Sequence, residues 1–227
     1  MQRSEMRTMV YRLMRIDDTV DVPNSDVNRY LDDGYNEVVA YTDWPWCYVA
    51  TPDDVNMIAD TNTYALEAAV RRVVAVINTA QNHALKEISM AEWLKRQNAV
   101  TSSSRPYLYA YSEQVLYVYP TPANTDAHEV YYFQHPSFGA TDASTPDFDA
   151  AYHTVLVDWA MHRMWEQEED FERSDEYRAR FESRLKRMQD FYQTTGKDVP
   201  LIYGEYPNIS HPGNMPFLSD AASGGAT

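Results

Sequence analysis

The stretch RPYLYAYSEQVLYVYPTP, residues 105–122, decides the fold class. Tyr107, Tyr109 and Tyr111 alternate with Leu108 and Ala110; past a Ser112-Glu113-Gln114 turn, Tyr117 and Tyr119 alternate with Leu116 and Val118. A period of two sends successive side chains to opposite faces of a strand, so the stretch reads as a hairpin. Pro120 and Pro122 stop its second strand, because proline has no amide to donate to a ladder. A third strand over residues 129–135 is expected to pair with the hairpin. Upstream, residues 70–77 (VRRVVAVI) are rich in β-branched side chains that suit a pleated surface, although Leu66, Val70, Val73 and Ile77 also fit a helical period. Ser89-Met90-Ala91-Glu92 has the form of a capping box and opens a short helix through Trp93 and Leu94.

Helices flank this β-rich middle. Val27, Tyr30, Leu31, Tyr35, Val38 and Tyr41 recur at three- and four-residue steps, so residues 24–42 read as an amphipathic helix capped by Asn24 or Ser25. Asp43-Trp44-Pro45-Trp46 ends it, since the residue before a proline is pushed out of helical geometry. A shorter helix over residues 3–15 precedes it, with Met6, Met9, Val10 and Leu13 on one side. After the strands come two long helices. Pro146 suits the first turn of one, with Asp147 and Asp149 at the positive end of its dipole. Phe148, Tyr152, Val155, Leu156 and Trp159 form its stripe, and Met161, Met164 and Trp165 widen it beyond one face, which places it at the centre. Ser174 is the expected cap of the second, whose stripe is Tyr177, Phe181, Leu185, Met188 and Tyr192, with Gly196 as a left-handed stop. The reading is an α+β chain: a mainly α-helical bundle over residues 1–196, an inserted antiparallel β-rich region at about 47–135, and an extended C-terminal arm, residues 197–227. The arm has four prolines and no periodicity, yet apolar anchors recur at Leu201, Ile202, Tyr203, Tyr206, Ile209, Met215, Phe217 and Leu218.

Composition narrows the function classes. In 227 residues, 44% hydrophobic and 13% aromatic side chains exceed what a disordered chain carries. Nineteen basic against 34 acidic residues leave a net charge of −15, which disfavours broad, tight contact with nucleic-acid phosphates. The lone Cys47 has no disulfide partner and suits a reducing compartment. Charges interrupt the apolar residues of MQRSEMRTMVYRLMR, and no apolar run approaches the roughly 20 residues of a membrane-spanning helix, so a soluble protein without a secretory leader is expected.

Catalytic motifs are sparse. The chain has no glycine-rich phosphate loop, G-x-S-x-G elbow or H-E-x-x-H helix, and no cofactor or metal is expected. Asp149/His153, Asp158/His162 and His162/Glu166 share the i,i+4 spacing of an acid–base or metal pair, which keeps open an enzyme with a carboxylate–histidine site on the 147–170 helix. An ordinary hydrogen bond at the core edge is the simpler reading. The acidic runs Asp53-Asp54 and 166–170 lack a calcium loop's turn glycine and read as solvated faces or a rim for a basic partner. The tyrosine ladder invites a base-stacking platform, but residues 107–135 contain no Lys or Arg, so packing in a core or subunit interface is the better account. Trp44 and Trp46 read as a staple closing the first helix onto the core, with an interface anchor as the alternative.

The order of these parts carries more than any one motif. DWPW at 43–46, RPYLY at 105–109, LYVYPTP at 116–122, VYY at 130–132 and FDAAY at 148–152, followed by two long helices, resemble the tailed-bacteriophage head-to-tail adaptor (head completion, or connector) proteins across residues 24–192. The resemblance implies a non-enzymatic virion protein at the head–tail junction, serving genome packaging and ejection. It implies a homo-oligomeric ring, commonly a dodecamer, under the portal protein, with a tail protein on the distal face. Duplex DNA would pass through the lumen without specific binding, and no membrane would be involved. It further implies that the arm embraces the portal, with Ile202, Tyr203, Tyr206, Ile209, Phe217 and Leu218 as its contact residues. A tail-tube or tail-completion protein is the alternative within the same structural class.

Overall fold

The helix at Arg3–Met14 (α1) opens with the Gln2 amide donating to Glu5 Oε2 at 2.8 Å, and closes on Arg15 in the left-handed region, φ 58°. The computed structural model describes residues 1–16, 22–67, 69–97 and 103–195. They fall into two units, one helical (described residues within 1–50, 68–72 and 132–199) and one β-rich (within 51–67 and 73–131). Gly196 and the arm lie outside the described residues.

The helical unit holds α1, Asn24–Tyr41 (α2), Thr154–Gln167 (α4) and Phe171–Thr195 (α5). As its wide apolar surface predicts, α4 is central and packs against α1, α2 and α5. Val155, Leu156, Val157, Ala160, Met161 and Met164 are all buried, meeting Met6, Val10, Val27, Leu31, Tyr35 and Val38 from α1 and α2 and Phe181, Leu185 and Met188 from α5. Gly34 permits close approach of α2 and α4: a Cβ there would lie 2.9 Å from Trp159 Cδ1. Arg3 is buried on α1, where Asp32, the Gly139 carbonyl and the Phe138 ring 4.1 Å away replace its water.

Several local expectations need correction. Pro23 holds the cap position of α2, and Asn24 Oδ1 instead accepts from the Tyr11 hydroxyl at 2.9 Å. Leu13 and Tyr41 complete their stripes by spacing but face solvent in the last turns of their helices, where Tyr41 stacks on Trp44 at 6.3 Å. Pro146 does not open α4. Asp149 caps a 3₁₀ turn at Ala150–Tyr152, donated to by the Ala151 amide at 2.8 Å, and the α-helix starts only at Thr154. The second long helix begins before Ser174: Asp170 Oδ1 accepts from the Arg173 amide at 3.1 Å, so the negative side chain takes the cap.

The strands form two four-stranded sheets. Tyr48–Met57 (β1), Asp126–Gln134 (β8), Val70–Asn78 (β3) and His83–Ala84 (β4) lie in the order β1-β8-β3-β4. Thr63–Ala65 (β2), Val115–Tyr119 (β7), Leu108–Ser112 (β6) and Lys86–Glu87 (β5) lie in the order β2-β7-β6-β5. The strand expected beside the hairpin, β8, therefore belongs to the other sheet, between β1 and β3. Its apolar alternation marks a buried face without naming the neighbour. Residues 70–78 are a strand, as their β-branched content suggests.

The hairpin turn has two residues rather than three. Glu113 (φ 50°) and Gln114 (φ 63°) lie in the left-handed region, and Ser112 pairs with Val115. One residue of register reverses every facing relation. Tyr109 and Tyr111 stand opposite Val118 and Leu116, while Tyr117 and Tyr119 stand opposite Ala110 and Leu108. The tyrosines are split between the two faces and make no single ladder. Helix Met90–Gln97 (α3) packs on β6 and β7. Ser89 Oγ accepts from the Glu92 amide at 3.2 Å, as its motif predicts, and Trp93 donates its indole N–H to the Val118 carbonyl at 3.1 Å.

Candidate functional site

The arm's six candidate contact residues, Ile202, Tyr203, Tyr206, Ile209, Phe217 and Leu218, lie outside the described residues, but the helix that leads to them is described to Thr195. Its last turns are locked into an aromatic cluster. Trp44 and Trp46 stack at 4.5 Å, Trp46 meets Tyr192 at 4.8 Å and Phe148 at 5.6 Å, and Trp44 meets the edge of Tyr192 at 5.9 Å. The Trp44 indole donates to the Val38 carbonyl, and the Tyr192 hydroxyl accepts from the Asp149 amide at 2.9 Å. With 1% of Trp44 exposed, the tryptophans close α2 onto the core, and the staple reading holds. Beside them a cleft of about 210 Å³ is lined by Asp43, Pro45, Gln189 and Gln193.

The carboxylate–histidine spacings over residues 149–166 do not become hydrogen-bonded pairs. His153 is buried, with Nε2 2.9 Å from the Phe148 carbonyl and Nδ1 against the terminal amine of Met1; burial pushes its pKa down. His162 turns Nδ1 to Ser174, 2.8 Å from its hydroxyl and 3.1 Å from its carbonyl. Asp158 meets neither histidine. It is 4% exposed and ion-pairs with Arg184 at 2.6 Å. Burial lifts its carboxyl to about 6 despite Arg184 and Arg180, which pull the other way. Among the described residues, no three His, Cys, Asp or Glu side chains are grouped to hold a metal ion. The Cys47 thiol is buried and pushed up to about 12, the state of an inert core cysteine rather than a nucleophile. Glu166, Glu168 and Glu169 are exposed, the solvated face their composition predicts.

Two groupings escaped the sequence reading. Arg71 caps the end of α2, donating to the Val39 and Thr42 carbonyls at 2.7 and 3.1 Å, and Arg72 pairs with Asp43 at 2.8 Å. Two arginines inside a β-branched run were the available signal. The second grouping surrounds α3. Every Lys and Arg of the β-rich unit, Lys86, Lys95, Arg96 and Arg105, falls within twenty residues, against nine Asp and Glu spread over that unit. Topology draws them together: Lys86 donates its amide to the Tyr107 carbonyl at 2.9 Å, Arg105 leads into β6, and Arg96 lies within electrostatic reach of Tyr107 and Tyr119. Leu94 and Tyr107, both 46% exposed, sit among these cations.

Among the described residues, no helix is long and apolar enough to cross a membrane. No curated protein matches the chain. The family profile described as SU10 adaptor protein matches residues 1–201, which takes in the described residues of both units and ends on Leu201, before the six candidate contact residues of the arm. A bundle centred on α4, two small sheets and histidines spent on structural hydrogen bonds suit a scaffold, and on the extent of that match the chain belongs to the SU10 adaptor protein family of phage head–tail adaptors.

Proposed function

We propose that this chain is the subunit of a ring adaptor, commonly of twelve copies, that joins the portal protein to the tail and extends the DNA channel. Membership of a phage head–tail adaptor family makes it a structural protein of the virion neck, and that membership is the observation that carries the reading. The helical unit serves as the ring body. The arm of residues 197–227 docks on the portal through Ile202, Tyr203, Tyr206, Ile209, Phe217 and Leu218, and the distal face receives a tail protein. The aromatic lock on Tyr192 supports this assignment, because it anchors the helix leading to the arm so that load on the arm reaches the core. A net charge of −15 supports a lumen that lets duplex DNA slide without gripping it. Many arms on one ring add avidity without any new contact type.

Truncation after Gly196 tests the arm. The shortened chain is expected to keep its circular dichroism spectrum and melting transition while losing stable attachment to purified portal. Portal binding equal to that of the full chain would overturn the assignment, as would failure of the truncated chain to fold.

A further inference from the structure

The cationic surface around α3 has a complement elsewhere on the same chain. Where α4 passes into α5, Glu166, Glu168 and Glu169 are exposed near Phe171, which at 65% is the most exposed large apolar side chain among the described residues; Arg163 pairs with Glu166 and Arg173 with Asp170 at 3.4 Å, which leaves Glu168 and Glu169 as the charge in excess. The α3 surface carries Lys86, Lys95, Arg96 and Arg105 around exposed Leu94 and Tyr107. Each surface thus has apolar side chains inside a charged rim, the anatomy of a protein interface, and the two rims are opposite in sign. We propose that the α3 surface of one copy docks on the Glu166–Glu169 and Phe171 surface of a second copy, and that this contact joins neighbours in the ring. The inference rests on the ring reading above and supplies its contact. Two different surfaces make a heterologous interface, the kind that passes from copy to copy and closes into a ring.

Phosphate is a poorer occupant of the α3 surface. Glu87 and Glu92 are interleaved with the four cations, Glu92 holds Arg96 at 2.7 Å, and Leu94 occupies the ground between. A surface built for phosphates has no use for carboxylates or an exposed leucine within its rim. An acidic protein surface with an exposed phenylalanine satisfies both features.

Charge exchange tests the pairing. One variant carries Lys95→Glu and Arg105→Glu; another carries Glu168→Lys and Glu169→Lys; a third carries all four. These side chains are exposed, so circular dichroism and melting should match the parent. By native mass measurement of portal–adaptor complexes, the first two variants alone are expected to lose the ring. The four-fold variant, and an equal mixture of the first two, should regain it, since each reversed surface then meets a reversed partner. Rings from either two-fold variant alone would overturn the proposal, as would failure of both the four-fold variant and the mixture. Loss of binding to a short duplex DNA by the Lys95/Arg105 variant, with its ring intact, would also overturn it and assign the surface to nucleic acid. A parent chain that forms no ring on portal would instead remove the ring reading itself.

Discussion

Replacing Asp158 by Asn should stabilise the protein at neutral pH and leave it unchanged in acid. Asp158 lies on the central helix, 4% exposed, with Arg184 as its counter-charge. Burial lifts its carboxyl from the 3.8 of an exposed aspartate to about 6. A group whose pKa rises on folding holds its proton more tightly in the folded chain, so stability falls as pH climbs from 4 to 6 and stays reduced above. At about 1.4 kcal/mol per pH unit, that interval corresponds to about 3 kcal/mol lost at pH 7.5. Asparagine keeps the shape and removes the charge. Arg184 is 40% exposed and retains the Thr154 carbonyl at 3.2 Å, so it is not stranded.

Thermal melts of parent and D158N, followed by circular dichroism from pH 4 to 8, measure the effect. Their difference cancels every other titrating group. At pH 7.5 the variant should melt higher by about 6–12 °C, taking about 2–4 °C per kcal/mol for a chain of this size. The gap should close between pH 6 and pH 4. A variant less stable than the parent at pH 7.5, or a gap that does not vary with pH, would refute the reasoning and make the Arg184 pair a net stabiliser.

Two further substitutions probe the packing. Gly34→Val should cost about 1–3 kcal/mol by denaturant unfolding, because a Cβ there meets Trp159 Cδ1 at 2.9 Å and Cβ and Cγ at 3.0 Å; Gly34→Ala should cost less, since alanine recovers about 1 kcal/mol of helix propensity. The pair Glu113→Asn and Gln114→Gly should raise stability by about 1 kcal/mol, because both positions have positive φ in a two-residue turn that Asn-Gly adopts without strain; an unchanged or lower unfolding midpoint would contradict the turn geometry.

The interpretation of His153 and His162 shows where sequence spacing stops. An i,i+4 relation to Asp149 or Asp158 places the pairs on one helical face, but each imidazole turned to a partner off that register: the Phe148 carbonyl for one, Ser174 for the other. Ser174 is twelve residues away and reaches His162 only because α5 folds back along α4. The cations around α3 were equally invisible as a group, since Lys86 reaches the strand that follows Arg105 only when β5 pairs in parallel with β6. The docking role proposed for the arm rests on composition alone, on apolar anchors between prolines.

Taken alone, the amino-acid sequence determined the repeating local structure. The stripes of α1, α2 and α5, the wide apolar surface that makes α4 central, the alternation in β6 and β7 and the Ser89 cap all follow from residues within a few positions of one another. Tertiary structure decided the partners. It moved β8 to the sheet of β1 and β3, split the tyrosines between two faces through a two-residue turn, and delayed α4 to Thr154. The reason is physical: periodicity states which side of an element avoids water, whereas the identity of its neighbour depends on burying side chains from many distant positions at once.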